Sequence, residues 1–341
     1  MHGQRFCQGV SQNFFVFFLG GSSARRGLSG GIPYVIVGSM DMMKLNEKAR
    51  RALANCMLLI TGAIWGGGFV VMKNALGSIS TNYLLAIRFT MGALGLCYTL
   101  FSKNRPLQKR TLLGGLVTGF CLYAAFAVQT YGLIFTTAGK SALITAVYVV
   151  LVPLALWLWK GLRPAKQMIA AALLMLFGIA LLSLQGEGGI NIGDVLTLLC
   201  GALYAVHICA VDNFADLDVM QLTCLQFAFA AGFAWLGGLC FETFPSSFTP
   251  SMIGELAYCG IAATLLALTM MNVGIKYASP TYASLFMSTE SAFGCLFGVL
   301  FLGEIFTGRM ALGCLLILTA LVLSQLPQKQ AVVVSPSYES E

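Results

Sequence analysis

Charge is what this sequence lacks. Only 10% of its 341 residues are Asp, Glu, Lys or Arg, against about a quarter in a soluble domain, and 58% are hydrophobic. A mean hydropathy of +0.83 over the whole length excludes a soluble domain with a single anchor and indicates many membrane spans. Histidine is nearly missing as well, with His2 and His207 alone, which leaves little material for a metal centre or a nucleophile–base pair. No HExxH, no P-loop, no GxSxG with a triad and no GxGxxG ahead of a strand occurs. Gly66-Gly67-Gly68 has no Lys-Ser/Thr after it and lies inside an apolar run, so it is no phosphate cradle. The eleven cysteines stand singly, without a CxxC pair, and read as small apolar helix residues. The sequence therefore predicts no enzyme, no cofactor and no metal site.

What is present is a series of ten apolar runs, at 53–73, 82–101, 111–132, 139–159, 165–184, 193–211, 219–241, 252–274, 281–302 and 309–326. Turn and charge signals separate them, among them KNRP at 103–106, KGLRPAK at 160–166 and FPSSFTP at 244–250. Residues 1–52 differ: Phe14–Leu19 is too short to span and Ser22–Gly31 is weakly basic, so 1–52 reads as a disordered extension or a mis-assigned start. Residues 327–341 form a tail. With the N-terminus inside, thirteen Lys and Arg fall on the cytoplasmic side (Lys44, Lys48, Arg50, Arg51, Lys103, Arg105, Lys109, Arg110, Lys160, Arg163, Lys166, Lys276, Lys329). Only Lys73, Lys140 and Arg309 fall on the other, which places both termini in the cytoplasm. The net charge of +7 is thus explained by topology and gives no support to nucleic-acid binding.

The chain also repeats itself. Gly62-Ala63-Ile64-Trp65 reads against Gly201-Ala202-Leu203-Tyr204, and Ala142–Tyr148 against Ser284–Glu290. This divides the protein into 53–185 and 193–326, five runs each. Five is odd, so the second half must enter the membrane upside down. The expected fold is all-α and membrane-embedded, ten transmembrane helices as two inverted five-helix repeats, with a substrate path at the midplane between them.

Glu290 is the one charge in the 24 residues from Ser279 to Leu302. As one helix this stretch would be about 36 Å long, enough to cross a bilayer. Ser284, Ser288, Ser291, Cys295 and Gly298 would form its small-residue stripe, with Glu290 about 100° away beside Phe286, Phe293 and Phe297. A carboxylate at that depth is costly in lipid and should face a cavity or a partner charge.

The chain at this point resembles the drug/metabolite transporter superfamily, in its EamA-type branch. GAIWGGGFVVMKNAL (62–76) is similar to the first-helix signature, and LLAIRFTMGAL (84–94) to the second-helix pattern with its internal Arg. SALITAVYVVLVPLALWL (141–158) is similar to the fourth, and residues 288–323, with Gly303-Glu304, to the ninth and tenth. The resemblance spans about 50–326 and implies ten helices, a central cavity, and export or exchange of small metabolites across the bacterial inner membrane. One departure stands out: Ser291 follows the acidic residue where the family usually has proline, which predicts an unkinked ninth helix.

The candidate cavity residues are Trp65, Arg88, Gln129, Tyr148, Tyr204, His207, Gln226, Asn272 and Glu290. Arg88 either meets an anionic substrate group or ties two helices. Its repeat counterpart, Gln226, keeps hydrogen bonding without charge. Glu290 is either a proton-coupling carboxylate or a standing partner for Arg88 or His207. A carboxyl in a low-dielectric site can exchange a proton as the cavity opens to either side. Tyr148, its counterpart, carries none. Lys73 and Lys140 are expected to reach the membrane interface, and the GxxxG pairs Gly62/Gly66, Gly115/Gly119 and Gly294/Gly298 to pack helices. The reading is a secondary transporter of a small polar or amphipathic metabolite, with the lipid bilayer, the substrate and a proton as partners. The rivals are a sugar-phosphate or nucleotide-sugar exchanger, which needs a second cation beside Arg88, a membrane-embedded enzyme, and a scaffold without a cavity.

Overall fold

The computed structural model describes residues 45–101, 106–183, 191–302 and 307–326, and every regular element among them is helical. In chain order these are α1 (Glu47–Ala75), α2 (Thr81–Leu96, continued by a 3₁₀ turn Cys97–Phe101), α3 (Lys109–Phe135), α4 (Ala138–Thr145) and α5 (Tyr148–Lys160). Then follow α6 (Lys166–Ser183), α7 (Ile192–Asn213), α8 (Val219–Phe241) and α9 (Pro250–Ala257), which runs through a π-helical segment (Tyr258–Leu266) into α10 (Ala267–Ala278). Last come α11 (Pro280–Met287), α12 (Glu290–Leu302) and α13 (Gly308–Gln325). Six of these stretches are long and apolar enough to cross a membrane unbroken: 47–75, 81–101, 109–135, 192–213, 219–241 and 250–278. Residues 1–44, the Gly303-Glu304 turn and the tail 327–341 lie outside the described residues.

Local chemistry fixes the ends. Asn46 accepts from the Ala49 N–H and so starts α1 at Glu47, six residues ahead of the apolar run and inside what the sequence suggested was extension. Asn191 and Asp194 form a reciprocal capping box on α7. Asp218 caps α8 through the N–H groups of Met220 and Gln221, and Thr249 caps α9 with Pro250 at its first position.

The single helix expected over 279–302 is corrected: it is two helices, broken at Ser288–Thr289 although no proline stands there. Ser284, Ser288 and Thr289 turn their hydroxyls back on the carbonyls of Thr281 (2.9 Å), Ser284 (2.8 Å) and Phe286 (2.6 Å). Such bonds compete with the helical ladder and bend it. The fourth run breaks likewise, at Ala146–Val147. The two broken spans share one register: α4 and α11 begin and end 142 residues apart, as do α5 and α12.

Small residues let these breaks be packed. A Cβ on Gly62 would sit 2.6 Å from Thr289 Oγ1 and 3.0 Å from the Met287 carbonyl, on the break of the ninth run. One on Gly201, the repeat mate of Gly62, would sit 2.6 Å from Val147 Cγ1 and 3.0 Å from the Thr145 carbonyl, on the break of the fourth. Each half thus presses a glycine onto the other half's broken helix. Gly66 packs on Gly294 in the same way, and Gly115 and Gly119 on α8 at Leu225 and Gln226.

Polar contacts gather at two ends. At the first end, Lys73 donates to the carbonyls of Leu133 (2.5 Å) and Thr136 (2.8 Å), and Thr136 donates to Asp194 (2.6 Å). There too Glu242 accepts from Asn82 and Tyr131. At the second end, Arg110 pairs with Asp216 and Lys160 with Asp212 (2.6 Å), Lys276 donates to the Leu217 carbonyl (2.6 Å), and Arg50 lies over the Tyr277 ring.

Candidate functional site

Where α1, α2, α3, the two broken spans, α7 and the π-helical segment converge, a cavity of about 50 Å³ opens, room for a few waters. Its polar lining is Trp65, Arg88, Gln129, Thr145, Tyr148, Tyr204 and Glu290, and its apolar and small lining includes Phe69, Met72, Phe126, Cys200, Cys259 and Ala263. Six of the nine residues expected from sequence therefore meet here. The repeat mates Trp65 and Tyr204 stand edge to face at 5.9 Å, and Tyr148 meets Tyr204 at 5.3 Å. The Trp65 indole N–H is fixed by the Ala263 carbonyl at 3.0 Å.

Arg88 is 2% exposed. Its Nε donates to Thr264 Oγ1 at 2.7 Å, and its guanidinium carbon lies 4.7 Å from the centre of the Phe126 ring. Burying an arginine at helix mid-depth costs about 3 kcal/mol. A charge-assisted hydrogen bond of about 2 kcal/mol and a desolvated cation–π contact of about 2 kcal/mol offset that, so the cation holds without a carboxylate. Thr264 can serve because the π-helical turn places it there, with its own hydroxyl donating to the Cys259 carbonyl at 2.7 Å. Such bulges recur at functional sites, and no hydropathy pattern announces one. A guanidinium has five N–H donors. Thr264 and a long contact to Met72 Sδ (3.7 Å) engage two, leaving the fork directed into the cavity.

Glu290 is 3% exposed, at the first turn of α12, and its Oε1 has no hydrogen-bond partner. It forms no ion pair with Arg88 or with His207. Among the described residues the ion pairs are Arg51–Glu47, Arg110–Asp216 and Lys160–Asp212. The cation and the acid share one cavity and stay apart. They are also supplied by different halves of the chain.

The other three expected residues lie elsewhere. His207, Gln226 and Asn272 are fully buried in a second polar cluster between α7, α8 and α10. Asn272 Nδ2 donates to Thr223 Oγ1 (2.9 Å) and to Gln226 Oε1 (3.2 Å), and the His207 ring lies 5.6 Å from that of Tyr204. Depth separates the groups: Met72 is in the last turn of α1 and Arg88 in the second turn of α2, toward the first end, whereas Thr223 and Gln226 open α8 at the second end. Lys73 stands at the first end, at the last turn of α1. It satisfies the C-terminal carbonyls of α3, where unpaired acceptors and the helix dipole favour a cation. It is therefore not the second cation beside Arg88 that the exchanger reading needs, and the side chain of Lys140 lies outside the described set. The sequence reading missed Phe69, Met72, Phe126, Thr145, Cys200, Cys259 and Thr264. Each is apolar or small and indistinct within a hydrophobic run.

Among the described residues outside the spans, Glu242 is the group with a resolved shift. Burial alone would raise its pKa. Hydrogen bonds from Tyr131 and from the Asn82 and Tyr83 backbone outweigh that and hold it below the usual 4.5.

Comparison with known proteins bears on family and fold. The EamA-like transporter family matches the chain twice, over residues 52–184 and 191–326. An uncharacterized transporter of Archaeoglobus fulgidus is 29% identical over 280 residues, 82% of this chain and 88% of that protein. The uncharacterized transporter YvbV of Bacillus subtilis (strain 168) is 26% identical over 298 residues, 82% of this chain and 93% of its own length. One solved crystal structure superposes with a TM-score of 0.67 at 18% identity, over 80% of this chain and 96% of that one. At that identity the likeness shows the fold alone.

Proposed function

We propose that this chain, which belongs to the EamA-like transporter family, moves a small polar or amphipathic metabolite by alternating access, as a secondary transporter with ten spans in two inverted halves. The observation that carries the proposal is the cavity lined by both Arg88, from one half, and Glu290, from the other, with no ion pair between them and Glu290 Oε1 without a hydrogen-bond partner. A standing ion pair would have indicated a structural tie. An open guanidinium and an open carboxyl among aromatic rings suit a solute with an anionic group and an apolar or cationic part.

The contacts at the two ends support the inversion. Lys73 puts the end of α1 at the first end, and Asp194 puts the beginning of α7 there, so these repeat mates run in opposite senses. The same holds for α2, which begins beside Glu242, and α8, which ends there. Arg50, Arg110, Lys160 and Lys276 lie at the second end, which supports a cytoplasmic second end with both termini on that side. The broken spans support a midplane site, since half-helix ends at that depth are how transporters present charge to a solute.

Glu290 is the proposed coupling group, because no cation neutralises it in place. A thermal-shift screen in detergent over amino acids, purines and cationic drugs identifies the solute class. A ligand at a hundred times its Kd adds about 2.7 kcal/mol and raises Tm by several degrees. In vesicles, Glu290→Gln is expected to abolish flux driven by a pH gradient while expression stays intact. Unchanged flux removes Glu290 as the coupler, and no shift with any class removes the transporter reading.

A further inference from the structure

The second polar cluster is built and left incomplete. His207, Thr223, Gln226 and Asn272 are 0% exposed. The Gln226 side chain reaches the His207 ring, which leaves at least one His207 ring nitrogen and Asn272 Oδ1 with no hydrogen-bond partner. Each orphaned polar group buried dry costs about 1–3 kcal/mol. A neutral imidazole brings both a donor and an acceptor nitrogen to the cluster. A cation would satisfy the acceptors alone, whereas water or a neutral amide or hydroxyl satisfies both.

Its position follows from the repeat. Gln226 is the mate of Arg88 at the 138-residue offset, and His207 stands to Gly68 as Tyr204 stands to Trp65, 139 residues on. Asn272 takes the place of Thr130, beside Gln129, at the 142-residue offset of the broken spans. Arg88 and Gly68 line the cavity that leans toward the first end, and Thr130 adjoins the lining residue Gln129. Their counterparts in the inverted half lie toward the second end, in the packed cluster.

We propose that His207, Thr223, Gln226 and Asn272 form a second, uncharged polar subsite, the wall of the path when it opens to the second end, which takes up water and the neutral hydrogen-bonding part of the solute. This rests on the alternating-access reading. In the state described here the subsite is shut, with Arg110–Asp216 and Lys160–Asp212 closing the end beyond it.

The test is thiol labelling of the full-length protein in vesicles with 2-aminoethyl methanethiosulfonate, read residue by residue by mass spectrometry. Gln226→Cys and Asn272→Cys are each made, so that the failure of one variant to fold leaves the other. Native Cys209 and Cys224, 1% exposed and outside both the cavity lining and the cluster, are the dry references. Native Cys200 and Cys259 report on the cavity itself. The new cysteines are expected to react about tenfold faster than the dry references, since a thiol that meets water in a minor state outpaces one that never does. Adding Asp216→Asn raises their rate about threefold, the size an exposed ion pair supports. Labelling of Cys200 and Cys259 without either new cysteine overturns the subsite and leaves the transporter reading standing. No labelling of Cys200 and Cys259 overturns both.

Discussion

The fourth and ninth spans break at the same step of the repeat and place different chemistry there. α5 begins at Tyr148 and α12 at Glu290, 142 residues on, and both line the same cavity. Arg88 and Gln226 differ in the same sense. The duplication therefore sets where a side chain stands, while single replacements decide whether it carries charge. One cation comes from the first half and one acid from the second, so neither half alone supplies both groups to the cavity.

Making the halves alike is the most damaging way to test this. Gln226→Arg puts the first half's cation into the second. Its neighbours there, His207, Thr223 and Asn272, offer no carboxylate, no arginine-facing aromatic like Phe126 and no hydroxyl placed as Thr264 is. We expect a loss of about 3 kcal/mol, read as a lowered unfolding midpoint in detergent. An unchanged midpoint would mean that the second half has a solvated place for charge, and the asymmetry would be chemical accident.

Next in size come the glycines that clamp the breaks. A methyl on Gly66 would lie 2.7 Å from the Glu290 carbonyl and 2.8 Å from the Gly294 nitrogen, both backbone atoms that cannot swing aside. Gly66→Ala should cost about 1–3 kcal/mol. Gly232, on α8, would meet nothing within 4 Å, so Gly232→Ala should stabilise its helix by up to about 1 kcal/mol. Equal effects at the two positions would show that the α1–α12 contact does not constrain the break.

Much of the scaffold was legible because a lipid-facing helix must be apolar along its length. The run 53–73 sits inside α1, 165–184 matches α6, and 309–326 matches α13 to within one residue at each end. What escaped was backbone detail that hydropathy does not register. The break at Ser288–Thr289 arises from hydroxyl–carbonyl bonds, and the π-helical turn changes the hydrogen-bond step without changing composition. Polarity did point to Arg88, Glu290, Gln129, Trp65, Tyr148 and Tyr204. By the same rule it pointed to His207, Gln226 and Asn272, which stand in a second cluster, since polarity does not report which group of side chains a residue joins.

The smallest effect separates the two ends. At the first, Glu242 accepts from Tyr131 at 2.6 Å and from the Asn82 backbone at 2.9 Å, joining α8 of the second half to α2 and α3 of the first. At the second, Arg110 and Asp216 are each more than half exposed, a kind of pair that contributes about 0–1 kcal/mol and fades with salt. The Glu242 pKa is held below its ordinary 4.5 in the folded state, so folding favours the ionised form. That contribution is complete above about pH 4.5 and is lost as pH falls through the depressed value. The Tm gap between wild type and Glu242→Gln should therefore be constant near neutrality and close as pH is lowered from 5 to 3, at any salt concentration. Arg110→Ala should instead show a small gap that added salt removes. If the Glu242 gap closes with salt, the first end is held by nothing stronger than the second, and the cavity's lean toward it must have another cause.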